Sequence, residues 1–251
     1  MRKSLRRQLL TLTISTTAII AGTFFPVVAS EIHTKAQTND VRFNGISEYM
    51  LTTESGVPLT LPLSKNPIAI VFDNLSETEK DLAIQAIQEL DEISENINYT
   101  ILDADDYKIT QKIILQSDDS LSDNKVGGTA NFSYNNFTGK INYPITVSLD
   151  PDYTRYVSTV NGENMYTSIV KHEMMHTLGF KDIYDKDSKY DSIMYYDISH
   201  DERALDYTER DKKCIRQVYD NEQIKISKPD KLVVNNKTYN TSAKKEEDFT
   251  Y

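Results

Sequence analysis

Two histidines four residues apart with a glutamate beside the first, His172-Glu173-Met174-Met175-His176, are the residues of this 251-residue chain best suited to do chemistry. On a helix, side chains at i and i+4 leave the same face about a turn apart, so both imidazoles can reach one Zn²⁺. Glu173 is then placed to take a proton from a water that the metal activates. The chain has only four histidines, and random ordering of its composition would produce this pattern roughly 0.004 times per chain. These residues set the expectation of a zinc-dependent peptidase, with Glu173 as general base.

The elements around the motif must hold it in place. Residues 164 to 178 read as a helix, with Met165, Ile169, Val170, Met174 and Leu178 recurring at mostly three- and four-residue steps to form a core-facing stripe. Gly179 stops that helix, because glycine accepts the left-handed conformation that ends many helices. The sharp turn brings a residue three positions on back under the metal, and that residue is Asp182. Further along, Thr208 and Asp211 form an N-terminal cap pair for a last helix.

With these residues in view, the chain resembles the metzincin clan of zinc endopeptidases, whose motif is H-E-x-x-H-x-x-G-x-x-H, or Asp in the last place in a minority such as the snapalysins. Here Asp182 fills the last place. Ser192-Ile193-Met194-Tyr195-Tyr196 is similar to the S-x-M-x-Y Met-turn beneath the zinc of that clan. Leu205-Asp206-Tyr207-Thr208-Glu209-Arg210-Asp211, followed by Ile215 and Tyr219, is similar to the closing helix of matrixin-like members. The specific matches span about residues 165 to 220, and upstream only the order of strands and helices agrees.

The resemblance implies three protein ligands, His172, His176 and Asp182, with water in the fourth position. It implies that Tyr196 donates its phenol to an oxyanion or to the metal, a packed tyrosine being the alternative, and that Met194 is a packing floor. An aspartate ligand makes the site one charge more negative than three imidazoles would, which shifts the expected working pH upward. Two competitors for the third position stay open: Glu202, in the gluzincin-like pattern Glu202-Arg203-Ala204-Leu205-Asp206, and His200. An extended peptide substrate is expected antiparallel along an exposed strand edge, with residues 140 to 148 as the candidate. Ca²⁺ is a second candidate ion, through Asp118-Asp119-Ser120-Leu121-Ser122-Asp123 or Asp182, Asp185, Asp187 and Asp191. Neither run matches an EF-hand loop, and solvated acidic loops are the better reading.

Composition bounds the rest. Arg2, Lys3, Arg6 and Arg7, an apolar stretch from Leu9 to Val28 and small residues at Val28-Ala29-Ser30 read as a secretory signal peptide over residues 1–30. An uncleaved membrane anchor is the alternative. The balance of 28 Lys plus Arg against 38 Asp plus Glu gives a net charge of −10, which argues against nucleic acid as a partner. Cys214 is the one cysteine, so no intramolecular disulfide can form, and burial in the last helix is its expected role.

Residues 31–62 read as a linker or short pro-segment. Within it, Phe43-Asn44-Gly45-Ile46 faintly resembles the latency motif of astacin pro-segments, without the aspartate that would reach zinc. From Pro67 a packed domain is expected: a strand at 68–72, a helix opened by Ser76 with Glu79, and strands near 98–102, 110–116, 128–134 and 140–148. The fold class is α+β, or mixed α/β: one catalytic domain over 63–220 with a twisted, mostly parallel sheet, an N-terminal helix, the zinc helix and a C-terminal helix. Residues 221–251 read as a polar tail with a small hairpin around Asn235-Asn236. The expected protein is a secreted, monomeric zinc endopeptidase acting on protein or peptide. A secreted zinc-binding or adhesion protein that keeps the fold without turnover is the alternative.

Overall fold

The apolar run at 68–72 is rich in β-branched residues, which pack well on a pleated surface, and it forms the central strand of the sheet. In the computed structural model, the described residues are 41–102, 110–123, 126–158, 162–197 and 203–220, with the backbone of 14–17, 231–234 and 237–240. The strands are β1 (Ile14–Thr17), β2 (Ile68–Asp73), β3 (Tyr99–Leu102), β4 (Lys112–Ser117), β5 (Gly128–Tyr134), β6 (Ile141–Leu149), β7 (Lys231–Val234) and β8 (Lys237–Asn240). Their order across the sheet is β1-β5-β6-β4-β2-β3-β7-β8. The strands β6, β4, β2 and β3 run parallel, and β5 lies antiparallel to β6. A row of buried isoleucines, Ile101, Ile70, Ile113 and Ile145, crosses these four strands in register. The class is thus mixed α/β with a mostly parallel central sheet.

The helices α1 (Glu77–Ile93), α3 (Met165–Thr177) and α4 (Glu209–Tyr219) accompany a single short turn of helix, α2 (Ser120–Asp123). Ser76 and Glu79 close a capping box on α1, and Thr208 and Asp211 do the same on α4. Each box satisfies backbone N–H groups that a helix start otherwise leaves unpaired. α1 turns Ala83, Ala86, Ile87, Leu90 and Ile93 inward and packs on α3. Every residue of α3 is buried. Among the described residues no helix is long and apolar enough to cross a membrane.

Two expectations change. The stretch read as a linker or pro-segment is, over its described part, built into the core: Phe43, Ile46, Met50, Leu59 and Leu61 are all buried. Its backbone is tied down as well, with Leu51 N donating to Gly179 O at 2.7 Å and Lys181 N donating to Tyr49 O at 3.0 Å. The polar, turn-rich composition hid apolar anchors spaced too irregularly to show a helical or strand period. The strand at 140–148, offered as an exposed edge, is interior: β6 is flanked by β5 on one side and β4 on the other. The outer edge of β5 pairs with β1, antiparallel, with Thr17 opposite Thr129. The signal-peptide residues other than 14–17 lie outside the described residues. So do Asn235 and Asn236, although β7 and β8 pair antiparallel on either side of them.

Candidate metal centre

Asn164 caps α3 through its side chain and sets the start of the helix that carries the histidines. At the other end Gly179 takes φ +90°. Gly179 N donates to His176 O at 2.9 Å and Phe180 N to Met175 O at 3.2 Å, the paired bonds of a Schellman ending. A side chain at 179 is excluded twice over, since a Cβ there would also lie 2.2 Å from Leu59 O. The turn delivers Asp182 to the histidine pair, whose rings are 4.8 Å apart. Asp182 Oδ1 is 3.1 Å from His172 Nε2 and 3.4 Å from His176 Nε2.

The other ring nitrogens reveal the chemistry. His172 Nδ1 meets Ile193 O at 2.8 Å, and His176 Nδ1 meets Phe180 O at 2.8 Å. A carbonyl oxygen only accepts, so each Nδ1 carries the hydrogen and donates it. In neutral rings both Nε2 lone pairs then face a carboxylate oxygen, acceptor against acceptor, unless a cation lies between them. This donor set fits a metal ion, with each imidazole oriented by a backbone carbonyl on its far side. Without a metal a proton fills that role. Burial acts to lower the His176 pKa, but Asp182 and then Glu173 hold it up at about 9. Burial acts to raise Asp182, yet the imidazoles hold its carboxyl well below the usual range.

Glu173 is different. It is 1 % exposed, and among the described residues neither carboxylate oxygen has a hydrogen-bond partner. Burial pushes its pKa up to about 7, against the pull of His176 and His172. The ligating atoms of His172, Glu173 and His176 all lie within 4.8 Å of one another. The first residue of β5 backs the carboxylate closely: a Cβ on Gly128 would stand 2.7 Å from Glu173 Cγ. A buried carboxyl titrating near neutrality beside a cation site has the properties of a general base.

No protein-family model matches this chain, and no curated protein is similar to it. The site therefore stands on its own geometry. The turn after Asp182 is anchored from α4: Ser192 Oγ donates to Asp211 Oδ1, and Ile193 N to Asp211 Oδ2 at 3.0 Å. That fixes the Ile193 carbonyl on which His172 depends. Ile183 N donates to Met194 O at 2.8 Å, and Met194 is buried. Among the described residues, no hydrogen bond joins the Tyr196 phenol to His172, His176, Glu173 or Asp182. Its ring lies 4.9 Å from that of Tyr184 and 5.1 Å from that of Tyr195. His200 and Glu202 lie outside the described residues.

Three residues at or near the site were not singled out from the sequence. Tyr184 Oη donates to Asp182 Oδ2 at 3.4 Å; a place two positions after Asp182, on the same side of an extended segment, was its only signal. Arg203 is buried, donates to Ile193 O at 3.4 Å and to Ser168 Oγ at 3.2 Å, and its Nε has no hydrogen-bond partner among the described residues. Lys171, on α3 itself, is fully enclosed. In the acidic runs weighed for Ca²⁺, Asp118 Oδ1 accepts from Ser120 N and Oγ, and Asp185 caps a short turn at Lys186–Ser188. No acidic cluster among the described residues converges on a point as the histidine site does.

Proposed function

We propose that this chain is a secreted zinc-dependent endopeptidase with a metzincin-like site, in which His172, His176 and Asp182 hold the metal and Glu173 is the general base. The observation that carries this reading is the pairing of two carbonyl-oriented imidazoles on one carboxylate oxygen with a buried carboxylate that has no hydrogen-bond partner among the described residues. Zinc held by these residues would supply Lewis acidity to a water and to a peptide carbonyl. Glu173 accepts the proton of the attacking water and returns it to the leaving amine. Gly128 keeps β5 close enough to confine the Glu173 side chain, which limits the positions its carboxylate can take.

The outer edge of β5 is the surface on which an extended peptide would lie, because β5 is the strand that touches Glu173 and its edge accepts an antiparallel partner, as its pairing with β1 shows. The export proposal rests on the basic and apolar leader alone. An unpartnered base beside the metal favours turnover over a purely binding role, since a binding module has no use for one.

Hydrolysis of a denatured protein with and without a chelator tests the function, with Glu173→Ala as control. Cleavage that stops with chelator and returns with Zn²⁺ is expected. Cleavage indifferent to chelator, or none across a broad set of proteins, would move the reading to a zinc-binding protein without turnover. Asp182→Ala should lose most of its zinc; a variant that keeps full zinc and activity would transfer the third position to Glu202.

A further inference from the structure

Two tyrosines lie near the metal centre, and the structure separates their roles. Asp182-Ile183-Tyr184 runs alongside the Met-turn, with Ile183 bridged to Tyr195 and its N–H bonded to Met194 O. Alternation along an extended segment puts Asp182 and Tyr184 on the same side. Tyr184 Oη thus reaches the one oxygen of Asp182 that the histidines do not use, Oδ2, at 3.4 Å. Tyr196 supplies the face against which the Tyr184 ring rests, at 4.9 Å between centroids and 31° between planes.

We propose that Tyr184, not Tyr196, is the phenol that serves the metal centre, as a positioning residue that holds Asp182 Oδ2 and so presents Oδ1 alone to the ion. A carboxylate with one oxygen tied back has a fixed direction for its other oxygen. Left free, it can rotate and offer both oxygens to a cation. Hydrogen-bond partners of metal ligands act in this way elsewhere, and their loss costs about 10- to 100-fold in metal affinity or activity. The bond here is long and Tyr184 is 67 % exposed, which places the expected effect at the lower end of that range. Tyr196 meets Tyr184 through its ring and makes no hydrogen bond to Asp182 among the described residues, so removing its hydroxyl leaves Asp182 untouched.

This inference rests on the zinc reading of the site, and the experiment keeps the two apart. Full-length wild type, Tyr184→Phe and Tyr196→Phe are titrated with Zn²⁺ against a competing chelator. Each is also loaded with Co²⁺, whose visible absorption reports ligand number and geometry. Tyr184→Phe should bind Zn²⁺ about tenfold more weakly and shift the Co²⁺ bands, with melting of the metal-free protein unchanged. Tyr196→Phe should stay within twofold of wild type and keep its bands. In turnover, Tyr184→Phe should lower kcat and leave KM in place. Changes in Tyr196→Phe alone, or in neither variant, would overturn the assignment. Uptake of neither ion by the wild type would defeat the metal reading and the assignment with it. Metal binding without hydrolysis would defeat only the endopeptidase reading, and the Zn²⁺ and Co²⁺ measurements would still decide between the tyrosines.

Discussion

Lys171 and Glu173 stand two residues apart on α3, both buried, and they face opposite regions of the molecule. Lys171 Nζ reaches Glu163 at 3.0 Å and Asp206 at 3.0 Å, and also pairs with Glu89 on α1. Glu173 has no hydrogen-bond partner among the described residues. On the first face three carboxylates from separate parts of the chain converge on one ammonium, which ties the helix to its surroundings. On the second a carboxylate is desolvated with no hydrogen bond among the described residues and only the pull of His176 and His172 against its burial, which costs free energy unless another role retains it. A helix buried on all sides can therefore carry charge for two reasons, and the partner count tells them apart. The Lys171 face is structural, and the Glu173 face is where chemistry is expected.

Glu173→Ala breaks the contrast most sharply. It should lower kcat about a thousandfold, within the range for loss of a general base. Thermal melting of the metal-free variant should match or exceed wild type, since an unpartnered buried charge is gone. A marked loss of stability would show that Glu173 has a structural partner after all.

Lys171→Met tests the opposite face. It leaves Glu89, Glu163 and Asp206 without their shared cation, and because those carboxylates are partly exposed the expected loss is about 2 to 3 kcal/mol. Denaturant unfolding would measure it, and the folded fraction should keep its specific activity. Gly128→Ala pushes a methyl group at Glu173 from β5 and should cost about 1 to 3 kcal/mol through overpacking. It should also lower kcat by displacing the base, so an unchanged rate would show that Glu173 is not confined from that side.

The smallest expected effect is one of pH. Burial acts to lower the Lys171 pKa, but Glu89, Asp206 and Glu163 together hold it above the ordinary 10.5. A raised pKa contributes stability that is fully present below the unfolded value of 10.5 and is lost as pH rises through the folded one. The gap in unfolding free energy between wild type and Lys171→Met should therefore narrow above that pH. Buried tyrosines away from Lys171 titrate in both proteins and cancel in the difference, and Tyr207, whose ring lies 5.9 Å from Lys171 Nζ, is held well above the ordinary 10.0 by burial. A gap independent of pH would mean that Lys171 contributes by packing and not by charge.

Legibility differed between these two faces. The His-Glu-x-x-His spacing, Gly179 and Asp182 could be read because helix geometry and a left-handed turn act over a few residues. The partners of Lys171 could not, because Glu89, Glu163 and Asp206 meet it only after α1, the segment before α3 and the segment before α4 have packed. The caps at Ser76 and Thr208, the start of the zinc-motif helix and the central strands were read within a residue or two for the same local reason, whereas the cap at Asn164 was read only as the first residue of its helix. The role of residues 43–61 under Gly179 was not, since contact between Leu59 and Gly179 spans most of the domain and leaves no periodic trace.

Sequence alone determined that two imidazoles, a glutamate and an aspartate can meet at one turn, because each step rests on the pitch of one helix and the conformational freedom of one glycine. It also determined which segments form the central strands and the long helices. Only the tertiary structure decided that Gly128 of β5 lies against Glu173, that Tyr184 reaches the free oxygen of Asp182, and that Glu173 has no hydrogen-bond partner among the described residues. Those outcomes depend on which distant segments exclude water from which atoms, and burial is a property of the packed chain.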